Sequence, residues 1–538
     1  MCGIYGILSS NENINIIEFI LEGLLQLQNR GYDSSGIYCL AENNKEYIYE
    51  KYASTEKMDA LEKLNSLTIE NKKYSTGIGH NRWATHGPKN DINSHPHCSN
   101  NEEFIIVHNG IIENYQKIKD KLCENGFIFY SGTDTEVIAN LLEYNYKHKN
   151  KINHHYENDE NDENDYSIID CIQCTIHELE GTYGLVIIYK NERNKIYCVR
   201  NGSPLLVGYN EDYCIITSEQ SGFCNKVNTY LTLHNDDICE IKIKNNNIQL
   251  NCKHNYILKN ILNLDNDLRP DPYDHWTLKE IFEQPQKISN SINLGGRILD
   301  KNLVKLGGLD TNKDKLKNIE NIILLGCGTS YYSCMYGKDF FKRLCNFNTI
   351  QLFDGADFEE NDIPQKGETL LVFVSQSGET KDLHRCIHIA QKKNVLTMGI
   401  INVVDSLIAR EVDFGIYCNA GREMGVASTK AFTTQVICLS LCAIWFSQNR
   451  QLQDKLRTRM IQDLQNLSSD FQICLNTMTK QLETPLALLS EYDNLFILGK
   501  NNDECIAKEG SLKIKEISYI HSEGYSSSSL KHGPFALL

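Results

Sequence analysis

The chain has 538 residues, 41% hydrophobic and 23% charged, which suits a globular protein of roughly two to four domains, each with its own core. Its 70 acidic and 54 basic residues leave a net charge of −16, which repels nucleic acid and anionic membrane, so neither is an expected partner. No apolar window long enough for a transmembrane helix is expected and no basic leader precedes an apolar stretch, so the 20 scattered cysteines read as reduced thiols of a cytoplasmic protein.

The chain opens Met1-Cys2-Gly3-Ile4-Tyr5-Gly6. Removal of Met1 would leave a thiol and a free α-amine on one residue. An ordinary thiol, with a pKa of about 8.5, is mostly protonated at neutral pH. An α-amine titrating at about 7.7–8.0 is partly free base there, so one residue can hold nucleophile and general base. Ile14, Ile17, Leu21, Leu24 and Leu25 then fall at helical spacing and predict an amphipathic helix ending near Asn29-Arg30-Gly31. Short β-type runs follow, including Phe104 to Val107, Tyr183 to Tyr189 and Ile238 to Ile241, with a helical stretch from Glu136 to Tyr146. This pattern predicts an α+β layered domain over residues 2–255. Within it, the acidic, low-complexity stretch 150–166 has little to bury and reads as a disordered surface loop. Cys171-x-x-Cys174 has no second pair and His95-Pro96-His97 has no neighbouring Cys or carboxylate, so neither reads as a metal site.

A linker is expected around 264–272, inside a lead-in segment over 256–290. The texture then changes. Ile322 to Leu325, Thr369 to Val374 and Leu396 to Ile401 are continuous apolar runs, each followed by a helical segment. That alternation predicts parallel βαβ units buried on both faces, assigned to a first α/β domain over 291–450. A further strand, Asn494 to Gly499, opens a second unit over 451–538, which is expected to be incomplete because the sequence stops soon after His532.

Four clusters accompany Cys2: Arg30-Gly31-Tyr32-Asp33-Ser34, Arg82-Trp83-Ala84-Thr85-His86-Gly87, His108-Asn109-Gly110 and Thr133-Asp134-Thr135-Glu136. In this order after Met-Cys-Gly-Ile they closely resemble the glutaminase domain of class II, N-terminal-nucleophile amidotransferases. The chemistry fits. Release of ammonia from an amide needs a nucleophile, a proton acceptor and donors for the oxyanion. The resemblance implies Cys2 for the first two and Asn109 with Gly110 for the donors. Arginine pairs bidentately with carboxylates, so Arg82 suits the carboxylate of L-glutamine, and Asp134 suits its ammonium. The resemblance implies both contacts, with Thr85 and His86 close by. Asp134 also reads as part of a helix N-terminus.

Gly326-Cys327-Gly328 follows an apolar strand, but the third glycine of a dinucleotide fingerprint would fall at Tyr331. Ser375-Gln376-Ser377-Gly378-Glu379-Thr380 follows another strand and offers a small-anion cradle of hydroxyls, backbone N–H groups and a helix dipole. The plainer alternative is N-capping by Ser377 or Thr380. The pair of loops resembles the sugar isomerase, or SIS, domain, a flavodoxin-like parallel fold. With Glu423 to Lys430 and Lys513 to Ser518 the likeness narrows to the glutamine–fructose-6-phosphate aminotransferase (isomerising), or glucosamine-6-phosphate synthase, family. The resemblance implies that ammonia from glutamine reaches fructose 6-phosphate through a channel gated by Trp83. It implies Glu516 as the isomerising base, Lys513 as its catalytic neighbour and His532 as a ring-opening histidine supplied across a homodimer or higher homo-oligomer. Ser330, Ser375, Gln376, Ser377 and Thr380 match the phosphate site; Thr329, Val426 and Ser428 match sugar contacts. No metal or organic cofactor is implied.

The family carries a C-terminal tail with a Schiff-base lysine, which lies beyond the last residue here. Ser528-Ser529 replaces Gly-Glu, and Lys508 stands where the family has an apolar residue, so it must reach solvent or a partner. Glutaminase activity is therefore expected to be better retained than synthase activity. The alternatives are a glutaminase alone or a non-catalytic sugar-phosphate-binding regulator. A purine-pathway phosphoribosyl amidotransferase is disfavoured because no acidic diphosphosugar motif follows residue 280.

Overall fold

The computed structural model describes residues 2–41, 46–55, 57–67, 74–83, 87–156, 167–261, 269–489 and 491–537. They form two compact units, Met1–Leu268 and Arg269–Leu538.

The first unit is built on two antiparallel sheets. One has eight strands in the order Lys259–Asn260, Thr229–Thr232, Leu206–Tyr209, Tyr213–Thr217, Gly3–Ser9, Tyr74–Arg82, Ser34–Ala41 and Tyr47–Ala53. The other has six: Asn247–Asn251, Cys239–Lys244, Lys195–Asn201, Gly181–Tyr189, Phe104–Ile112 and His97–Cys98. Strand periodicity assigns the faces. Ile4 and Leu8 join Ile105, Val107, Val186 and Ile188 in the core between the sheets. Tyr5 and Ile7 point the other way, onto Ile16, Ile20 and Leu24 of helix Ile16–Gln26. On the far side, Phe104, Ile106, Leu185 and Ile187 pack on Ile138 and Leu142 of helix Asp134–Tyr156 and on Ile168 and Ile172 of helix Ile168–Glu178. The result is a helix–sheet–sheet–helix stack, the α+β layered arrangement expected from the sequence. Its central strands read as continuous apolar runs because both faces are covered.

The predicted N-terminal helix begins two residues later than the pattern from Ile14, at Ile16, where the Asn15 side chain accepts the Glu18 N–H at 3.3 Å. The stretch 150–166, expected to be a loop, instead continues helix Asp134–Tyr156 in its first part. The rest of it, 157–166, lies outside the described residues, as does most of the expected linker, 262–268.

The second unit holds a five-stranded parallel sheet in the order Thr349–Asp354, Ile319–Gly326, Glu368–Ser375, Leu396–Ile401, Phe414–Tyr417. Taken along the chain, that is order 2-1-3-4-5, the flavodoxin-like arrangement. One face, with Ile322, Leu324, Leu370, Val372 and Met398, packs on helices Thr329–Leu344 and Lys430–Asn449. The same core takes in Ile288 of helix Trp276–Ser291 and Ile461 and Leu464 of helix Asp454–Thr479. The opposite face, with Ile323, Leu325, Leu371 and Phe373, packs on Leu383, Cys386 and Ile387 of helix Lys381–Lys392 and on Ile408 of helix Leu407–Glu411.

Contrary to the expectation from the sequence, one helix, Lys430–Asn449, is long and apolar enough to cross a membrane. Its apolar window is 78% buried within the protein, so it is apolar all round because protein surrounds it. Beyond it, strands Asn494–Gly499 and His521–Ser526 pair in parallel around helix Asn502–Ser518 as a single βαβ unit. Lys508 finds its partner on that helix, an ion pair with Glu504 at 2.8 Å in the favourable i,i+4 order.

Helix Ile16–Gln26 lies close on the Cys2-proximal strand at Gly23, where an added Cβ would sit 2.1 Å from the Tyr5 ring. Alanine normally improves a helix interior by about 1 kcal/mol over glycine. Here overpacking should win, and Gly23→Ala should destabilise by ~1–3 kcal/mol in urea unfolding. A raised unfolding midpoint would mean that the Tyr5 ring yields freely.

Candidate functional site

Cys2 immediately precedes the central strand Gly3–Ser9, which pairs with Tyr74–Arg82 in the register Gly3↔Asn81. The next residues of that neighbouring strand therefore reach the thiol. The Trp83 N–H donates to Cys2 Sγ at 3.2 Å, and the Trp83 carbonyl lies 3.6 Å from the sulfur. Two side chains hold the backbone of residue 2: Arg30 Nε and Asn109 Nδ2 donate to the Cys2 carbonyl at 3.0 and 2.8 Å. Arg30 is itself fixed by Glu219 at 2.9 Å. Burial pushes the Cys2 thiol pKa up, opposed by the Trp83 hydrogen bond and by the positive charges of Arg82 and Arg30.

Cys2, Arg82, Trp83, Gly110 and Asp134 line one open pocket. Arg82 is buried, and desolvation lowers its pKa against the opposing charges of Cys2, Asp134 and Asp33. Gly110 has φ +132°, and a Cβ there would stand 2.0 Å from the Thr182 carbonyl oxygen, so only glycine fits. At Asp134 the two readings separate. The capping bond belongs to Thr133, whose Oγ1 accepts the Glu136 N–H at 3.3 Å. Asp134 Oδ2 accepts the Ile112 N–H at 3.0 Å, which pins the carboxylate against the pocket. Trp83 is 42% exposed, at the mouth. Thr85 and His86 lie outside the described residues.

A cage of histidines backs this pocket. His80 Nε2 sits 3.0 Å from Asn109 Oδ1 and so orients the amide that holds Cys2. The His80 and His95 rings stack at 4.1 Å, and His97 meets His95 edge-on at 4.9 Å. His97 Nε2 lies 3.2 Å from Thr133 Oγ1, and His108 Nδ1 lies 3.0 Å from Thr135 Oγ1. Burial lowers the His80 pKa to about 3 and pushes His95 and His97 well below the usual imidazole range. In the sequence His95 and His97 stand out only as candidate metal ligands, His108 only as a member of the cluster with Asn109 and Gly110, and His80 not at all. The available clue was position: His80 is two residues before Arg82, and His108 directly precedes Asn109.

In the second unit, Gly326 and Ser375 end two adjacent parallel strands where the strand order reverses, the usual place for a ligand in such a sheet. Ser375 Oγ accepts the Gly378 N–H at 3.0 Å and lies 3.3 Å from Thr380 Oγ1. Thr380 stands at the N-cap of helix Lys381–Lys392 yet makes no side-chain capping bond. Ser377 Oγ accepts the Glu379 N–H at 3.2 Å within the loop. The hydroxyls thus shape the loop instead of capping the helix. Ser330 is buried, with its Oγ accepting from Gln435 Nε2 at 3.0 Å, and Gln376 is half-buried in the same loop.

Thr329 belongs to a second cluster. Lys513 Nζ donates to Thr329 Oγ1 at 3.0 Å and pairs with Glu516 at 2.7 Å and Glu509 at 3.5 Å. Glu509, Lys513 and Glu516 share one face of helix Asn502–Ser518 by their spacing. Glu509 was not singled out from the sequence; burial raises its carboxyl pKa, and Lys513 opposes the shift. Val426 is exposed on the loop after Glu423, and Ser428 Oγ donates to Glu423 Oε2 at 2.7 Å. That loop hangs on Glu280 of helix Trp276–Ser291, whose Oε1 accepts the N–H groups of Met424 and, at 3.1 Å, Gly425. Burial and the Glu423 charge push the Glu280 pKa up to about 7. His532 is exposed in the turn Leu530–His532, and among the described residues no hydrogen bond or ion pair joins it to Lys513 or Glu516.

The buried histidines set a stability window. His80, His95 and His97 have folded-state pKa values below the unfolded value near 6.5, so the unfolded chain binds more protons as pH falls. Their contribution is complete above pH about 6.5 and declines from there towards the folded pKa. For His80 the slope is about 1.4 kcal/mol per pH unit between those limits. Urea midpoints at pH 7.5 and 5.5 should fall for the native chain, and the fall should be smaller for His80→Gln. Equal falls in both proteins would contradict the assignment.

Residues 80–225 match the glutamine amidotransferase domain family and residues 315–445 match the SIS domain family. The probable glutamine–fructose-6-phosphate aminotransferase (isomerizing) of Acanthamoeba polyphaga mimivirus is 40% identical over 541 residues, covering 100% of this chain and 84% of its own length. The glutamine–fructose-6-phosphate aminotransferase (isomerizing) of Clostridium tetani is 34% identical over 552 residues, with the same coverage, 100% and 84%. A solved C-terminal domain of glucosamine-fructose-6-phosphate aminotransferase from Francisella tularensis is 34% identical, with a TM-score of 0.44, over 50% of this chain and 75% of that one. With both domain families matched and such relatives running the whole length of the sequence, the chain belongs to the glutamine–fructose-6-phosphate aminotransferase (isomerizing) family.

Proposed function

We propose that the chain hydrolyses L-glutamine at Cys2 and transfers the ammonia to fructose 6-phosphate, yielding glutamate and glucosamine 6-phosphate. The observation that carries this reading is the Cys2 pocket, which gathers a thiol, a guanidinium, a carboxylate and a glycine N–H from separate elements. Arg82 receives the substrate carboxylate and Asp134 its ammonium. Sγ attacks the side-chain amide carbon; collapse of the tetrahedral oxyanion breaks the C–N bond and releases ammonia, which takes the proton lost by the thiol, and water then hydrolyses the thioester to glutamate. The Gly110 N–H and the second Asn109 N–H, the one not given to the Cys2 carbonyl, receive the oxyanion. The attack needs a proton acceptor. Among the described residues, Sγ has hydrogen-bond partners only in the Trp83 backbone, and no imidazole or carboxylate bonds to it. The α-amine of Cys2, freed by loss of Met1, is the base that remains.

The sugar reaction is assigned to the second unit. The Ser375–Thr380 loop and Ser330 hold the phosphate, and Thr329, Val426 and Ser428 face the sugar. Lys513 and Glu516 serve the isomerisation, in which a proton moves between adjacent carbons. Trp83 gates the ammonia path, and His532 acts across a homodimer or higher oligomer in the cytoplasm. Glutaminase chemistry belongs to 2–255, with 256–290 leading into the α/β part at 291–450 and 451–538. Family likeness through both units favours the complete transfer reaction over a glutaminase alone.

Three variants test the reading. Cys2→Ala should lose glutamine hydrolysis by about a thousandfold or more while still binding fructose 6-phosphate in calorimetry. Ser377→Ala with Thr380→Ala should weaken fructose 6-phosphate binding about tenfold and leave sugar-free glutamine hydrolysis unchanged. If sugar-phosphate affinity is unaltered, the loop is structural only. Glu280→Ala removes the acceptor of the buried Met424 N–H and the half-buried Gly425 N–H at the Val426–Ser428 loop and should raise KM for fructose 6-phosphate about tenfold, with Glu280→Gln closer to native. An unchanged KM in Glu280→Ala would remove Glu280 from loop positioning.

A further inference from the structure

His384 and His388 lie four residues apart on helix Lys381–Lys392, so both rings leave the same helix face. Glu411, at the end of helix Leu407–Glu411, meets them there. One ligand atom from each of the three side chains lies within 4.8 Å of the other two. We infer that His384, His388 and Glu411 bind one divalent transition-metal ion of the zinc class, a structural site on the face of the sheet away from helix Lys430–Asn449.

The donor set selects the ion. Two imidazoles and one carboxylate suit zinc and its neighbours, whereas magnesium and calcium take oxygen ligands. In a tetrahedral site with bonds of about 2.0–2.1 Å, neighbouring ligand atoms stand about 3.3 Å apart, within reach of the spacing here. His384 Nε2 and Glu411 Oε2 stand 2.8 Å apart as an ion pair, and among the described residues neither buried atom has any other hydrogen-bond partner. A cation between them would satisfy both. The exposed His388 has its Nδ1 3.3 Å from Gln391 Oε1, an outer partner of the kind that fixes the tautomer of a metal-bound histidine and leaves Nε2 for the ion. Its exposure gives the ion a way in and leaves room for a water as fourth ligand. Arg410 is the opposing positive charge, and one of its guanidinium nitrogens is occupied by the Asp405 carbonyl at 2.6 Å.

The site has a mechanical consequence. The two helices are already joined at their starts, where the Leu407 N–H donates to Glu379 Oε1 at 2.9 Å. A metal bridge from His384 and His388 to Glu411 closes the other end. Helix Lys381–Lys392, which begins directly after Thr380, is then clamped at two points.

The test uses the full chain, stripped with chelator and titrated with cobalt(II) chloride. One equivalent should give visible d–d bands of a four- or five-coordinate nitrogen–oxygen site, without the near-ultraviolet thiolate-to-cobalt band that any of the 20 cysteines would produce. His388→Gln, at an exposed position, and Glu411→Gln, of the same shape, should each weaken cobalt binding at least tenfold. Zinc chloride should raise the thermal midpoint of the native chain and not that of His388→Gln. Native-like titrations in both variants, or a thiolate band that persists in them, would show that His384 and Glu411 form an ion pair only. Failure of this site would leave the glutaminase and sugar-binding readings untouched, because neither uses these three residues.

Discussion

The glutaminase half depends on holding one residue still at the end of a chain. Terminal residues are usually the least ordered part of a domain. Cys2 escapes that by a division of labour. Its carbonyl is gripped by Arg30 and Asn109, from a 3₁₀ turn and from the second sheet, and the strand that follows is buried on both faces. The grip is indirect as well: Glu219 fixes Arg30, and His80 fixes the Asn109 amide. Among the described residues the thiol meets only the Trp83 backbone, which leaves it lining the pocket where the proposed chemistry needs it. Loss of either clamp would cost positional order at the nucleophile before it cost much stability.

The second unit solves the same problem with buried acids. A ligand loop needs its backbone N–H groups either turned to the ligand or satisfied elsewhere, since a stranded N–H costs about 1–3 kcal/mol. Glu423 takes the N–H groups of Thr429 and Ala431, and Glu280 takes those of Met424 and Gly425. Burial, with the Glu423 charge adding to it, pushes the Glu280 pKa up to about 7. Lys430, paired with Glu283 at 2.6 Å, supplies compensating charge nearby. The arrangement fixes Val426 and Ser428 without using either side chain as a support beyond the single Ser428–Glu423 bond.

What the sequence made legible follows from how local each signal is. Parallel strands at 319–326, 368–375 and 396–401 stood out because both faces are covered, and the clusters around Cys2, Arg82, Asn109 and Asp134 are short and ordered. Partnerships between distant residues were not legible. Glu280 and Met424 are 144 residues apart, and His80 meets Asn109 across two sheets. Nothing in the neighbourhood of Glu280 distinguishes it from a solvated helix acid. Helix Lys430–Asn449 was missed for the opposite reason: its neighbours cover every side, so it lacks the polar stripe that marks a surface helix. The acidic stretch deceived by composition, since charge alone does not reveal that a helix already running from Asp134 carries on to Tyr156.

The buried histidines make best sense as a way of keeping charge simple. A pocket for a zwitterion needs one positive and one negative anchor whose fields are not blurred by others. In the proposed reading Arg82 and Asp134 fill those roles, and His95 and His108 line the same pocket. A protonated His95 would compete with Arg82 for the substrate carboxylate and draw Asp134 away from the ammonium. Burial prevents this by raising the cost of the imidazolium well beyond what neutral pH can supply. The imidazoles still act as neutral donors and acceptors, to Asn109, Thr133 and Thr135, so they order the pocket without charging it. Desolvation that neutralises the cage also raises the Cys2 thiol. A nucleophile kept protonated in the resting pocket must lose its proton as it attacks, which favours a base on the same residue over one across the cleft.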